Sequence, residues 1–497
     1  MFSKVLVANR GEIAVRLIRA LREMDIEAVA TYSEADRDAL HVRFADEAYC
    51  VGPPPSAESY LVGDRIIEAA RSCGAEAIHP GYGFLAENAE FAHRVEEAGL
   101  VWIGPPPSAV ELMGSKLASR RAAMEADVPT IPGSEASMDD EAAVAAEAEK
   151  LGYPVLLKAD FGGGGKGMRV VASADELASS LRAARSEAAS AFGNPSVYVE
   201  RAIVAPRHIE IQVLGDHHGN VIHLGERECS IQRRHQKVVE EAPSVVVSEE
   251  MRTAMGEAAL RLARQVGYYS CGTVEFLVDQ AGKFYFLEMN TRLQVEHPVT
   301  EMITGVDLAK AMMRVAAGEE LWLRQEDIAW QGHAIECRIY AEDPDDNFLP
   351  SPGLIDYYRP AGGPGVREDS GIYEGYEIPI FYDPIIAKLI TWGADRAEAV
   401  ERMSRALSEY VIAGVKTTIA FHQRVMASEA FQKGQLSTEF IDRLLEPAPV
   451  PPIELDEIAV VAAVLDVESR KGMFKAAGAP PGGVSRTDAG AAWRLGG

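Results

Sequence analysis

The N-terminal quarter of the chain alternates between short apolar runs and longer stretches with helical spacing. Val5–Ala8 is a continuous apolar run, and Gly11–Met24 repeats apolar residues three and four positions apart. Ala28–Tyr32 is a second apolar run, and shorter ones follow. Strands that alternate with helices predict a doubly wound, mostly parallel sheet. The first turn lacks the Gly-x-Gly-x-x-Gly spacing, so the pattern does not support an NAD site there.

Later segments have different patterns. Residues 131–203 contain two predicted strands around a glycine loop, then an alanine-rich helix and a third strand. Residues 204–446 contain several strands with antiparallel-type alternation, together with helices. A proline-rich stretch at 447–452 predicts a stiff linker, one amphipathic helix is predicted over 455–471, and the Gly- and Ala-rich end is predicted to be disordered.

The most informative pattern is in the run Glu288–Pro298. If residues 284–296 form one extended strand, their side chains alternate between two faces. One face is apolar, and the other carries Glu288, Asn290, Arg292, Gln294 and Glu296. Burying such a row costs several kcal/mol unless each group is paired or binds a metal or an anion. The pattern favours an active site over its alternative, the solvated outer face of an edge strand.

Composition narrows the class of protein. A chain of 497 residues is too long for one hydrophobic core, so roughly three domains are expected. The net charge of −26 argues against nucleic acid or an anionic membrane as the main partner. Five separated cysteines with no Cys-x-x-Cys pair indicate reduced thiols, and the immediate N-terminal strand leaves no room for a signal peptide. We therefore expect a cytoplasmic protein.

A glycine-rich loop at residues 162–167 follows the end of a predicted strand that carries Lys158. Glycines let backbone N–H groups approach an anion and adopt positive φ. The loop is not a Walker motif, because Lys166 precedes Gly rather than Ser or Thr, and the chain lacks the His-Arg-Asp of protein kinases. The sequence predicts that this loop folds over bound phosphate groups. The alternative is a flexible hairpin with no ligand.

Hard oxygen ligands are predicted on two adjacent strands. Glu275 lies in the run 272–278, and the next strand carries Glu288 and Asn290. Two carboxylates and an amide carbonyl are typical ligands of Mg²⁺ beside nucleotide phosphates. An exposed pair of acids is the alternative interpretation.

Two further strands and one basic cluster complete the candidate chemistry. The runs 207–213 and 333–340 alternate polar and apolar residues, which is also typical of a half-solvated sheet. Residues 232–237 form a basic cluster, which is either a surface patch or a site for an anionic substrate. Cations, metal ligands and a glycine cover together favour phosphoryl transfer to an anionic acceptor.

Five ordered segments also carry a family resemblance: residues 4–14, 78–85, 158–168, 206–210 and 288–300. On these segments, residues 1 to about 446 resemble biotin carboxylase, the ATP-grasp component of biotin-dependent carboxylases. The resemblance implies an α/β and α+β fold in four regions: a Rossmann-like N-terminal domain (1–113), an ATP-grasp domain (114–330) with a mobile lid at about 131–203, a mixed C-terminal domain (331–446), and the linker, helix and tail (447–497).

The resemblance also implies a role for each matching residue. The residues implied in ATP binding are Lys116, Lys158, Gly163, Gly164, Gly165, Glu200, Arg201, Ile203, His208, Gln232, His235, Glu275 and Glu288. Those implied in holding Mg²⁺ or Mn²⁺ are Glu275, Glu288 and Asn290. Those implied in holding bicarbonate are Lys237, Arg292, Gln294 and the Val295 backbone. Glu296 is the implied base, and Arg338 is implied to stabilise the biotin enolate. Lys237, Arg292, Glu296 and Arg338 are thus the expected catalytic set.

The expected reaction carboxylates biotin with ATP and bicarbonate. No Met-Lys-Met attachment site occurs in the chain, so the biotin is expected on a separate carrier protein, with a carboxyltransferase as further partner. The resemblance extends to subunits of acyl-CoA carboxylases, including those of fatty acid biosynthesis, and of two-subunit pyruvate carboxylases, and it implies a homodimer. Two departures are Arg201, where Lys is expected, and Ser115, where Asp is common. The alternatives are a carbamoyl phosphate synthetase-like ligase and a non-catalytic nucleotide-binding subunit.

Overall fold

The computed structural model describes residues 1–134, 136–138, 140–159, 168–192 and 196–445. Met1–Leu444 form one compact unit. The predicted glycine loop at 162–167 and the predicted linker, helix and tail over 447–497 lie outside the described residues.

The N-terminal elements form a parallel sheet covered by helices on both sides. The strands follow the order β3-β2-β1-β4-β5, and each neighbouring pair is parallel. Strand β1 is central and its apolar side chains are fully buried, as a strand covered on both faces requires. This confirms the predicted doubly wound domain. Its elements are β1 (Lys4–Val7), α1 (Gly11–Glu23), β2 (Glu27–Ser33), α2 (Leu40–Phe44), β3 (Glu47–Gly52), α3 (Gly63–Cys73), β4 (Ala77–His79), α4 (Ala89–Glu97), β5 (Val101–Trp102), α5 (Pro107–Gly114) and α6 (Lys116–Glu125).

A small antiparallel sheet follows, in the order β7-β6-β8, with two helices packed against it. Val155, Leu157, Val197 and Val199 are fully buried in a separate apolar cluster with residues of both helices. The elements are α7 (Glu141–Leu151), β6 (Val155–Ala159), β7 (Met168–Val171), α8 (Ala174–Phe192) and β8 (Val197–Arg201). Residues 160–167, between β6 and β7, are outside the described part of the chain.

The largest sheet has eight antiparallel strands in the order β13-β12-β9-β10-β11-β14-β21-β19. The predicted strands at 207–213, 272–278 and 333–340 are all part of it. The elements of this region are β9 (Arg207–Gly215), β10 (Val221–Arg233), β11 (Gln236–Ala242), α9 (Glu249–Gln265), β12 (Ser270–Val278), β13 (Phe284–Asn290), α10 (His297–Thr304), α11 (Leu308–Ala316), β14 (His333–Tyr340), β15 (Glu342–Asp343), β16 (Leu349–Pro350), β17 (Gly353–Leu354), β18 (Tyr357–Arg359), β19 (Val366–Ser370), β20 (Glu377–Ile378), β21 (Ile385–Gly393), α12 (Arg396–Glu409), β22 (Val411–Ala413), α13 (Ile419–Ala427), α14 (Glu429–Gln432) and α15 (Phe440–Leu445).

The prediction of one strand over 284–296 is wrong in its second half. Strand β13 ends at Asn290, and α10 begins at His297. The His297 N–H bonds the Gln294 carbonyl at 3.3 Å, so the chain turns before the helix instead of continuing along the sheet. Pro298 in the first turn of α10 favours this helix start.

No helix among the described residues is long and apolar enough to cross a membrane.

Candidate active site

Three carboxylates lie in a row across three neighbouring strands of the large sheet. Glu210 on β9 is directly opposite Glu275 on β12, which is directly opposite Glu288 on β13. Opposite residues of antiparallel strands point to the same face, so these like charges lie close together. Glu210 and Glu275 are buried, and Glu288 is half-buried. The row therefore needs nearby cations.

Lys237, near the start of β11, supplies one of these cations. Its Nζ is 2.5 Å from Glu210, 2.7 Å from Glu275 and 2.6 Å from Glu296. Burial opposes the charge, but the three acids raise the pKa of Lys237 well above its ordinary value. Burial acts against the ionised form of Glu275, but the Lys237 charge lowers the pKa of Glu275 below its ordinary value. Lys237 and Glu275 are thus both charged at neutral pH.

Arg227 on β10 supplies a second cation, which contacts Glu210 of the carboxylate row. It is completely buried, and its Nε is 2.5 Å from Glu210. Its other nitrogens donate to Gln212, Thr273 and Thr300 at 2.7 to 3.1 Å. Sequence reasoning missed Arg227. The available signal was its position inside a long strand, where a charged residue needs a buried partner.

Glu296 joins the carboxylate row to a second arginine. One Glu296 oxygen contacts Lys237, and the other accepts a bond from Arg338 Nη2 at 2.9 Å. Arg338 also donates through Nε to Glu240 at 2.6 Å. Burial acts against the Glu296 charge, but Lys237 and Arg338 hold the pKa of Glu296 well below its ordinary value. Burial raises the pKa of Glu240 to about 7 despite the Arg338 charge.

Arg292 lies in the turn after β13, yet it reaches the same group of side chains. Its Nε donates to Glu87 at 2.9 Å, while Nη1 and Nη2 donate to Gln294 and Asn290 at 3.0 and 3.1 Å. The Asn290 amide in turn donates to Glu275 at 2.8 Å. Glu87 was not predicted, because a contact across about two hundred residues leaves no local sequence signal.

The predicted phosphate-binding lysines lie on neighbouring elements. Lys158, near the end of β6, is buried and 2.7 Å from Glu200, which Arg120 also contacts at 3.3 Å. Lys116 begins α6, and its Nζ is 3.5 Å from the Ala159 carbonyl oxygen. Burial raises the pKa of Glu288. The charge of Glu275 raises this pKa further, and the charge of Lys116 lowers it. The Lys116 ammonium therefore favours the ionised form of Glu288, one of the three carboxylates in the row. Gly163, Gly164 and Gly165 are outside the described residues.

The structure brings together only some of the remaining residues that were predicted to contact the nucleotide. His208 Nε2 is 2.9 Å from Glu275, and the Gln232 amide nitrogen is 3.0 Å from His208 Nδ1. Arg201 at the end of β8 donates to the Tyr285 hydroxyl at 3.3 Å, and Ile203 is half-buried just beyond it. His235 is different, because it lies exposed in the turn between β10 and β11.

A cavity of about 480 Å³ opens beside the charged cluster. Its lining includes Arg292, Val295 and Arg338 together with Tyr82, Glu87 and Tyr382. This volume is large enough for a small organic molecule. Arg292 and Arg338 therefore face a space that a substrate can enter.

Three family models match consecutive parts of the chain. Residues 115–324 match the ATP-binding domain family of the carbamoyl-phosphate synthase L chain. Residues 1–110 match the N-terminal domain family of biotin carboxylase, and residues 336–443 match its C-terminal domain family. The chain is thus an ATP-dependent ligase of the ATP-grasp type.

Similar proteins make the assignment more specific. A pyruvate carboxylase subunit of Methanothermobacter thermautotrophicus is 58% identical over 89% of this chain and 90% of its own length. Biotin carboxylase of Nostoc sp. is 54% identical over 89% of this chain and 99% of its own length. The biotin carboxylase domain of Hydrogenobacter thermophilus 2-oxoglutarate carboxylase, crystallised as a dimer with MgADP, ADP and bicarbonate, has a TM-score of 0.87 at 50% identity and covers 90% of this chain and 99% of that one. The chain belongs to the biotin carboxylase family, as predicted.

Replacing Arg227 by Met tests whether the buried carboxylate row depends on it. The variant leaves Glu210 with one cation fewer, so we expect the free energy of unfolding to fall by about 3 kcal/mol or more in urea titrations. The double variant Arg227→Met/Glu210→Gln removes the unbalanced acid and should recover most of the loss. A double variant whose loss equals the sum of the two single losses would contradict this coupling.

Proposed function

We propose that this chain carboxylates carrier-bound biotin with ATP and bicarbonate, forming carboxybiotin, ADP and phosphate through carboxyphosphate. The observation that carries the proposal is the pairing of Glu296 with both Lys237 and Arg338, beside a cavity that Arg338 and Arg292 line. Two cations on one ionised acid, with a third cation at the same cavity, suit a reaction in which anions are bound and oxyanion charge develops.

Bicarbonate is held by Lys237, Arg292, Gln294 and the backbone of Val295. Arg292 and Gln294 are already joined by a 3.0 Å hydrogen bond, which orients both side chains before the anion arrives. The planar guanidinium offers paired N–H donors that match the two oxygens of a carboxylate-like anion. Preorganised donors of this kind lower the entropic cost of placing the nucleophile.

Glu296 removes the proton of bicarbonate. With both oxygens paired to Lys237 and Arg338, its pKa lies well below the ordinary range, which makes it a weak base. An entering anion takes over part of the Lys237 contact, and Glu296 then loses stabilisation of its charged form. Its pKa rises as a result, and a stronger base is produced only when bicarbonate is bound.

Arg338 stabilises the enolate of the biotin ring. Its guanidinium is buried between Glu240 and Glu296 and lines the cavity. An arginine stays charged at any working pH, so it can stabilise negative charge as it develops on the ureido oxygen. The contact with Glu240 fixes its orientation.

ATP binds between the small antiparallel sheet and the carboxylate row. We assign its phosphates to Lys116, Lys158 and the loop with Gly163, Gly164 and Gly165, and its base to the surroundings of Glu200, Arg201, Ile203, His208, Gln232 and His235. We also propose domain boundaries at about residues 113, 330 and 446, with residues 131–203 as a lid.

Glu275, Glu288 and Asn290 suit Mg²⁺ or Mn²⁺. Glu275 and Glu288 face each other across paired strands. Burial raises the pKa of Glu288, and the charge of Glu275 raises it further. A divalent cation between them would relieve this repulsion, and oxygen donors are the ligands it prefers. The metal, when bound, supplies positive charge to the nucleotide phosphates.

Single substitutions test the two central roles. Glu296→Ala removes the base and Arg338→Ala removes the enolate donor, so we expect bicarbonate-dependent carboxylation of free biotin to fall by about two orders of magnitude or more. ATP binding, followed by calorimetry, should change little. The controls Glu401→Ala and Arg264→Ala alter exposed residues and should keep full activity. Full turnover in Glu296→Ala or Arg338→Ala would refute the role of that residue.

A second test concerns the metal. Glu288→Gln removes one negative oxygen ligand, and we expect the Mg²⁺ concentration for half-maximal ATPase activity to increase about tenfold. The control is Glu374→Gln, at an exposed position. An unchanged Mg²⁺ requirement in Glu288→Gln would remove this residue from the metal site.

Biotin carboxylases work with carrier and carboxyltransferase components, and we propose that this chain does the same. We also propose a homodimer in a reducing cytoplasm, in keeping with its five unpaired cysteines and with the dimer crystallised for the related Hydrogenobacter domain.

The homodimer is tested by size-exclusion chromatography with light scattering. A mass near twice the 53.8 kDa of the chain is expected. A single species at the monomer mass over the whole concentration range would contradict the proposal.

A further inference from the structure

The backbone around Val295 is held by two buried side chains that the catalytic scheme does not use. We propose that His297 and Lys388 are positioning residues, which aim the Val295 N–H at bicarbonate; this inference rests on the proposed function. Neither residue lies in the charged cluster around Glu296, and each contacts one of the two carbonyl groups that flank Val295.

His297 fixes the peptide unit that contains the Val295 N–H. Its Nδ1 is 2.8 Å from the Gln294 carbonyl oxygen, which also accepts a longer bond of 3.3 Å from the His297 backbone N–H. A carbonyl oxygen only accepts hydrogen bonds, so Nδ1 carries the proton. The peptide unit is planar and trans, and its N–H points opposite to its C=O. Holding the Gln294 carbonyl therefore directs the Val295 N–H to the other side.

The His297 ring is suited to this role because it stays neutral. It is completely buried, and burial together with the charges of Lys388 and Arg16 keeps its pKa well below the ordinary value. A neutral ring has one N–H, so its tautomer is set by the Gln294 contact. The donor is therefore available throughout the working pH range.

Lys388 fixes the following peptide unit. Its Nζ donates to the Val295 carbonyl oxygen at 2.9 Å and lies 3.3 Å from Glu12 and 3.7 Å from Asp369. Lys388 is completely buried on β21, in an otherwise apolar run. Burial acts against the Lys388 charge, but Glu12, Glu336 and Asp369 raise the pKa of Lys388 above its ordinary value.

Side-chain anchors are needed here because of where Val295 lies. Strand β13 ends at Asn290 and α10 begins at His297, and no strand pairing holds residues 291–296 in the part of the chain that the structure describes. A backbone segment outside the sheet ladder has more freedom than one inside it. Two fixed carbonyls remove that freedom at the residue that contacts the anion.

The His297 role is tested by two matched variants. His297→Leu removes the donor, whereas His297→Asn places an amide nitrogen at the same number of bonds from the backbone as Nδ1. We expect His297→Leu to raise the KM for bicarbonate about tenfold or more, with the KM for ATP within about twofold, and His297→Asn to restore most of the bicarbonate affinity. Equal bicarbonate KM values in His297→Leu and the unmodified protein would overturn the role of His297.

The Lys388 role is tested in a charge-balanced background. Lys388→Met alone leaves buried acids without their cation, so it is combined with Glu12→Gln, and Glu12→Gln alone is the control. The double variant should raise the bicarbonate KM about tenfold, and the control should not. A double variant with the same bicarbonate KM as its control would overturn the role of Lys388.

Amide hydrogen exchange separates this inference from the proposed function, because it needs no turnover. Exchange across residues 291–296 should be faster in His297→Leu and in Glu12→Gln/Lys388→Met than in His297→Asn and Glu12→Gln. Equal rates would refute the positioning. An unmodified protein that does not carboxylate biotin would refute the proposed function, and the exchange rates would still decide whether the two side chains hold the segment.

Discussion

The contact of one ammonium group with three carboxylates is the constraint on which the site depends. Lys237 touches Glu210, Glu275 and Glu296, which come from three different parts of the chain. Without this cation the acids would repel one another in a buried environment, and removing one partner of such a group costs several kcal/mol. The same charges that stabilise the cluster also set its protonation states. Stability and chemistry therefore rest on one interaction.

Sheet register brings most of these side chains together. The pairing of β9, β12 and β13 aligns Glu210, Glu275 and Glu288, and the hairpin of β10 and β11 places Lys237 against the first two of these acids. Arg338 arrives from β14, whose partner β11 carries Glu240. Because β-sheet geometry repeats at fixed spacings, a register shift of one residue would turn each of these groups to the opposite face.

Much of this arrangement could be predicted from short-range patterns. Alternation in 207–213 and 333–340 and the run 272–278 predicted strands, and the polar run from Glu288 predicted a candidate site. Contacts between distant segments could not be predicted in this way, since neither Glu87 nor Arg227 has a local pattern that names its partner. Lys388 did leave a signal, a lone lysine in an apolar strand, but its partner at Val295 follows only from the fold.

The error in the strand prediction falls on the segment that the proposed function assigns to bicarbonate. Strand β13 is at the edge of the large sheet, where alternate backbone N–H groups still pair with the neighbouring strand. In the proposed function the Val295 N–H binds bicarbonate, and the turn after Asn290 removes this residue from the ladder, so its N–H is not committed to strand pairing. Arg292 still contacts Asn290 and Gln294, the two residues that strict alternation also placed on its face. The alternation rule thus predicted these neighbours correctly and failed only on the backbone, which leaves the sheet after Asn290.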